Sequence, residues 1–179
     1  MTKTSLEVCV AAISRDWKSV GAQVIANCCR HMAVLSETDS TETWLAEINR
    51  ANPASQELYR DPDNGFVLQT HVEQQGVYRS PHDYGRSWVI YAVQHGEVEM
   101  GTYARIGGPG RGSQLVKRSS TVLQPSMAHI YLPGDIHDTL CLQGPAVLFR
   151  FTERDLKDEA SAGLMTRYAL RNGMWMAAA

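Results

Sequence analysis

From Gly65 onward the chain is a train of short apolar or alternating runs cut by Gly, Pro, Asn and Asp, and this texture narrows the fold more than any other feature. The runs are Phe66 to Val72, Ser87 to Val93, Val98 to Ile106, Leu115 to Leu123, His129 to Leu132, Thr139 to Leu142 and Ala146 to Phe151. Strand-length segments separated by turn residues at this spacing predict an all-β sandwich or barrel. The Gly107-Gly108-Pro109-Gly110-Arg111-Gly112 stretch reads as a loop between two strands. It lacks the strand-before, helix-after setting of a phosphate-binding loop.

The flanks read differently. Leu6, Val10, Ile13, Trp17, Val20, Val24 and Ile25 recur at mostly helical intervals and predict one or two helices within residues 5–35. Asp39 followed by Glu42, just ahead of Trp44, Leu45 and Ile48, has the form of a capping box for a helix over about 41–50. Residues 154–170 regain helical character, with Leu156, Leu164 and Tyr168 available to pack outside the barrel. The expected organisation is a helical segment at 1–53, a barrel at 54–153 and a helical tail at 154–179, together forming one structural domain.

At 179 residues the chain fits a single core. With 17 basic and 19 acidic side chains it has no electrostatic footprint for nucleic acid or anionic lipid. Val8 to Ile13, the longest apolar stretch near the N-terminus, is too short for a membrane span. Cys9, Cys28, Cys29 and Cys141 show no regular spacing, which points to reduced thiols and a cytoplasmic protein.

Two segments carry chemistry. One is Pro81-His82-Asp83-Tyr84-Gly85-Arg86-Ser87-Trp88, continuing to Gly96-Glu97; the other is Leu132-Pro133-Gly134-Asp135-Ile136-His137-Asp138-Thr139. Side chains two apart on a strand share a face, so His82 and Tyr84 point together into a barrel, and a later strand brings His137 to meet them. The Pro133-Gly134 turn fixes the entry of that later strand, and Gly96 suits a turn between strands.

These segments resemble the two motifs of the cupin superfamily, which read His-x-His, then usually Glu, then Gly, and Pro-x-Gly-x-x-His. Within it they are most similar to the cysteine dioxygenases and related thiol dioxygenases, which read Pro-His-Asp-His-Gly followed by Trp and lack the glutamate, whose position falls near Val89 here. The resemblance covers roughly residues 58–151. It implies a mainly β fold, the cupin double-stranded β-helix or jelly-roll barrel, with N-terminal helices and a C-terminal helix. It also implies a metal site, Fe(II) by the family's habit, at His82, His137 and the position of Tyr84. Tyr84 departs from the family histidine, and phenolate binds ferrous iron less readily than imidazole. Downstream, Phe149-Arg150-Phe151-Thr152 replaces the family's Ser-x-His-x-Tyr run. Tyr59-Arg60 resembles the segment from which these enzymes clamp a substrate carboxylate, making Arg60 a candidate anion anchor.

The other candidates rest on the residues themselves. Trp88, Tyr91 and Tyr103 are expected in the core or pocket wall as an apolar, substrate-binding lining. His71 replaces the missing ligand if it faces inward, while His129, His95 and His31 are not expected to ligate. Cys141 shares the face of His137 and Thr139 and packs as a small hydrophobe.

The leading expectation is a non-haem Fe(II) dioxygenase acting on a small thiol or carboxylate-bearing substrate, with His82, His137 and Tyr84 as catalytic and metal-holding groups. A metal-independent lyase, dehydratase or isomerase using His and Tyr as acid and base is the alternative, and a non-catalytic ligand-binding barrel is the third. The partner expected is a small molecule rather than nucleic acid or membrane, with pairing into a homodimer.

Overall fold

A computed structural model describes residues 3–17, 21–107 and 114–178. The Gly108–Gly112 part of the expected loop, and Val20, lie outside the described residues. Three helices, α1 (Ser5–Asp16), α2 (Ala22–Ser36) and α3 (Thr43–Ala51), precede the strands β1 (Gln56–Arg60), β2 (Val67–Glu73), β3 (Tyr78–His82), β4 (Val89–Ile106), β5 (Gln114–Leu123), β6 (Met127–Tyr131) and β7 (Ile136–Thr152). A short helix α4 (Leu156–Ser161) and a hairpin of β8 (Tyr168–Arg171) and β9 (Met174–Ala177) end the chain.

All the strand pairings named here are antiparallel, in the order β1-β2-β7-β4-β5-β9-β8, with β3 also on β7 and β6 also on β4. The long strands β4 and β7 run through both halves of the sheet. The N-terminal half of β4 lies between β6 and the C-terminal half of β7, and its other half lies between β5 and the N-terminal half of β7. Register shifts between Ala92 and Val98 bend the pair at its middle, so the two halves curl over a common interior. Here the expectation of a turn at Gly96 is corrected: Gly96 is a bend within one strand. Its φ is +80°, and a Cβ there would stand 2.4 Å from the Gln143 carbonyl oxygen, so only glycine allows the strands to pass this closely.

Strand alternation divides the apolar side chains between two cores. Phe66, Leu68, Val72, Trp88, Ile90, Ala92, Val147, Phe149 and Phe151 face outward and join Ile13, Met32, Leu35, Leu45 and Ile48 of the helices. Val89, Tyr91, Val93, Val98, Met100, Leu123, Cys141 and Leu148 face the barrel interior. Trp17 ties the layers together, stacking on Trp88 at 5.8 Å between ring centroids and touching Phe66 at 5.0 Å.

Two local expectations are overturned. The capping box belongs to Thr4 and Glu7 at the start of α1, whereas Asp39 closes a turn by accepting from Thr41 N at 2.8 Å, and Glu42 accepts from Ser5 N at 2.8 Å. The C-terminal helical tail is also corrected. Helix α4 stops at Ser161, Gly163 turns the chain with φ +67°, and Asn172-Gly173, both at positive φ, closes the β8–β9 hairpin. Among the described residues, no helix is long and apolar enough to cross a membrane. The four cysteines are free thiols.

Candidate functional site

The first motif divides its duties residue by residue. His82 ends β3 and pairs in register with His137 of β7. Asp83 accepts from the backbone N–H groups of Gly85 and Thr166, each at 3.0 Å, and so holds the loop against the C-terminal segment. Tyr84 then turns inward. Gly85, at φ +61°, lies where a Cβ would meet Glu159 Oε2 at 2.8 Å and the Leu164 carbonyl oxygen at 3.1 Å. Arg86 donates to Glu159 from its backbone N–H and from its guanidinium, fastening the motif to α4. In the second motif Gly134, at φ +82°, makes the turn, and Asp135 Oδ2 accepts from Leu132 N at 2.7 Å, which sets the start of β7 at Ile136, one residue before His137.

A cavity of about 470 Å³ opens between the two halves of the sheet. Its walls include His71, His82, Tyr84, Tyr91, Thr139, Cys141 and Arg150, with Arg79, Lys157 and Arg167 also lining it. Inside it runs a chain of hydrogen bonds. The His82 Nδ1 lies 2.8 Å from the Ser80 carbonyl oxygen, which can only accept, so Nδ1 carries the proton and Nε2 the lone pair. That lone pair accepts from the Tyr84 hydroxyl at 3.0 Å. With its own proton so placed, the Tyr84 oxygen accepts from the Tyr91 hydroxyl at 2.5 Å and from Arg150 Nη1 at 3.3 Å. Arg150 Nη2 donates to Gln69 Oε1.

Burial holds His82 below the ordinary imidazole range, and the Arg167, Arg150 and Arg79 charges add to this against the Ser80 hydrogen bond. His137 is pushed well below that range, first by burial and then by His82 and Arg150. Both rings are neutral at neutral pH. Burial drives the Tyr91 hydroxyl well above its usual value, helped by Tyr84 beside it, so Tyr91 keeps its proton.

His137 is fully buried among aromatic rings. Its centroid lies 4.0 Å from that of Tyr131, 4.7 Å from His82, 5.4 Å from Tyr84 and 5.7 Å from Tyr91. Neither of its nitrogens has a hydrogen-bond partner among the described residues. The donor set does not match the three imidazoles that the family resemblance implies. The third position carries a phenol, both nitrogens of His82 are engaged, and no group of three or more His, Cys, Asp or Glu side chains suited to a metal occurs among the described residues. His71 lines the cavity, but its Nδ1 meets the Ala54 carbonyl oxygen at 3.2 Å, and burial holds its pKa down to about 3.

The bent pair β4/β7 shared by both halves, with the two motif histidines in register inside, decides the fold. The fold is a curled antiparallel barrel of the cupin type. The cupin domain of Schizosaccharomyces pombe Cnp3 is similar at 11% identity over 62% of this chain and 70% of that one, with a TM-score of 0.45. A Bacillus halodurans protein is similar at 11% identity over 60% and 74% of the two chains, with a TM-score of 0.47. KdgF from Halomonas sp. is similar at 19% identity over 58% and 82%, with a TM-score of 0.42. No protein-family model and no curated protein sequence matches this chain.

Three expected substrate residues lie elsewhere in the barrel. Arg60 sits exposed on the edge strand β1, held by Glu57 at 2.7 Å and Asp155 at 2.6 Å, because β1 pairs only with β2 and leaves its side chain at the rim of the sheet. Trp88 belongs to the core under the helices, since it stands one residue ahead of β4 and continues the outward phase of Ile90 and Ala92. Tyr103 borders a separate cavity of about 350 Å³ with His129 and Tyr131, and donates to Asp138 Oδ2 at 2.5 Å. His95 is exposed and His31 pairs with Asp16 at 2.9 Å, both away from the cavity. Arg150 was missed by sequence reasoning, yet its signal is plain. Phe149 and Phe151 occupy the outward phase of β7, so the residue between them must point inward.

Proposed function

We propose that this protein is a metal-independent acid–base enzyme of the cupin type, with Tyr84 as the proton-transferring group and His82 as its partner. The observation that carries the reading is the ordered chain Tyr91–Tyr84–His82–Ser80 in the cavity wall, with Arg150 on the Tyr84 oxygen. When the Tyr84 proton moves to His82 Nε2, the oxygen left behind is held by the Tyr91 hydroxyl and the Arg150 guanidinium, and His82 becomes imidazolium. The Tyr84 oxygen then takes a proton from a substrate carbon next to a carbonyl, the C–H electron pair remaining on the substrate as an enolate. Return of a proton from Tyr84 to another atom gives an isomer, and departure of a β-substituent gives an elimination product. A positioned acid–base group of this kind contributes typically about 10²–10⁴-fold to rate.

The test is proton exchange. A panel of 2-oxo acids and 3-hydroxy acids is incubated with the protein in D2O, with and without exhaustive chelation, and deuterium incorporation is followed by NMR. Exchange that survives chelation and is lost in Tyr84→Phe is the expected result. Exchange unchanged in Tyr84→Phe would sink the reading.

One observation favours a second reading, a divalent-metal oxygenase acting on a small thiol or carboxylate: the unpartnered nitrogens of His137, 4.7 Å from His82 between ring centroids. Near-stoichiometric iron in protein purified without chelator, lost in His137→Leu, would establish it in place of the first.

A further inference from the structure

We infer that the cavity takes a small carboxylate and that Arg150, not Arg60, holds it. The inference rests on the acid–base reading of the same cavity and names the class of substrate that the cavity admits.

A charge removed from water is costly unless an opposite charge or a full set of hydrogen bonds replaces the lost hydration, and the penalty runs to several kcal/mol per ion. Arg150 is in that position. Its guanidinium lies inside the barrel, and its Nε is buried with no partner. Nη1 and Nη2 meet the oxygens of Tyr84 and Gln69, with the Tyr91 hydroxyl beside them and the Tyr84 ring 5.7 Å from the guanidinium carbon, and none of these partners is a carboxylate. No ion pair to Arg150 exists among the described residues, and Tyr91 beside it stays protonated. Glu73, the acidic residue in the same wall, is already engaged by Arg79 at 2.6 Å. Arg167 and Lys157 add further positive charge to the lining and form no ion pair among the described residues. The cavity therefore carries an excess of cation with an unused N–H at its buried end.

Among anions the geometry favours a carboxylate. The free Nε–H and the remaining η hydrogens of a guanidinium form a planar fork that matches two carboxylate oxygens side by side. A carboxylate held there stands next to the Tyr84 oxygen, which Arg150 Nη1 already contacts at 3.3 Å. The carbon adjacent to that carboxylate is then within reach of the proton-transferring group. Arg60 cannot serve, because Glu57 and Asp155 already satisfy its guanidinium at the sheet edge.

The experiment is direct binding, independent of turnover. Thermal melting and calorimetry are run at pH 7 with acetate, malonate, succinate and inorganic phosphate at matched ionic strength, on the intact chain and on Arg150→Met, Arg150→Lys and Arg60→Ala. The expected result is a rise of about 5 °C or more at a hundredfold excess of a carboxylate over its Kd. That rise is abolished in Arg150→Met and kept in Arg60→Ala. Arg150→Lys keeps the charge but loses the fork, and binds at least about tenfold more weakly; it decides the matter if the Met variant does not fold. No response to any carboxylate, a stronger response to phosphate, or loss of binding in Arg60→Ala alone would overturn the inference. Carboxylate binding without proton exchange would remove the acid–base reading and leave the anion site standing.

Discussion

His82 and His137 are register partners across β3 and β7, yet one ring has both nitrogens hydrogen-bonded and the other has neither. The difference comes from depth. His82 reaches the cavity wall and meets Ser80 and Tyr84, while His137 is sealed behind it against Tyr131. Two imidazoles that look equivalent in the sequence therefore have unequal work.

For His137 this leads to an uncommon expectation. Unsatisfied buried polar groups cost about 1–3 kcal/mol each, so His137→Leu leaves stability unchanged or raises it by about 1 kcal/mol. Urea denaturation checks this. A loss above about 2 kcal/mol would show that the imidazole has a partner that side-chain geometry does not supply.

Tyr84→Phe removes the hydroxyl that His82, Tyr91 and Arg150 share. Proton exchange falls by about 10²–10⁴-fold. Stability falls by only about 1–3 kcal/mol, the cost of leaving buried partners unmatched. Retained secondary structure by circular dichroism, beside lost exchange, is the expected pair of results.

Stability should decline on mild acidification. His71, His82 and His137 are all held below the ordinary value by burial, His71 down to about 3. In the unfolded chain each returns to about 6.5. Above that pH both states are neutral and the rings contribute no pH dependence. As the pH falls through 6.5, the unfolded chain takes up protons that the folded chain refuses. Stability then drops by at most about 1.4 kcal/mol per pH unit for each such ring, until the folded value is reached. Urea midpoints at pH 7.5, 6 and 5 should fall in that order, and a flat or rising series would contradict the burial argument. By the same reasoning the acid limb of kcat/KM set by His82 lies below pH 6.5.

Gly85→Ala is expected to cost about 1–3 kcal/mol. It forces a side chain into φ +61° and brings a methyl within 2.8 Å of Glu159 Oε2 and 3.1 Å of the backbone of Leu164. Because Tyr84 precedes it, the change also weakens carboxylate binding. Melting temperature and calorimetry on one preparation check both effects.

Much of the barrel could be read from the chain because strand alternation and turn residues are local signals. The runs from Phe66 to Phe151 correspond to strands, and the histidine motifs fall where β3 ends and β7 begins. The C-terminal segment misled because Leu156, Leu164 and Tyr168 mimic a helical stripe, while Gly163 and Asn172-Gly173 held the contrary turn signals. Arg60 misled for another reason. Its two carboxylate partners, Glu57 nearby and Asp155 distant in sequence, are a tertiary fact, and only their positions show that its charge is already spent. The hydrogen-bond order around Tyr84 is likewise invisible until β2, β4 and β7 meet.

The alternation along β7 separates durability from chemistry within a single strand. Phe149 and Phe151 answer to the helices, and Arg150 between them answers to the cavity. Trimming Phe149 to alanine would cost about 3–5 kcal/mol and leave the anion fork in place. Inserting one residue ahead of it would exchange the two faces, driving a guanidinium into the helical layer and two aromatic rings into the cavity. A substitution on one face of this strand therefore affects either stability or chemistry alone, whereas a change in its length between Cys141 and Thr152 strikes both at once.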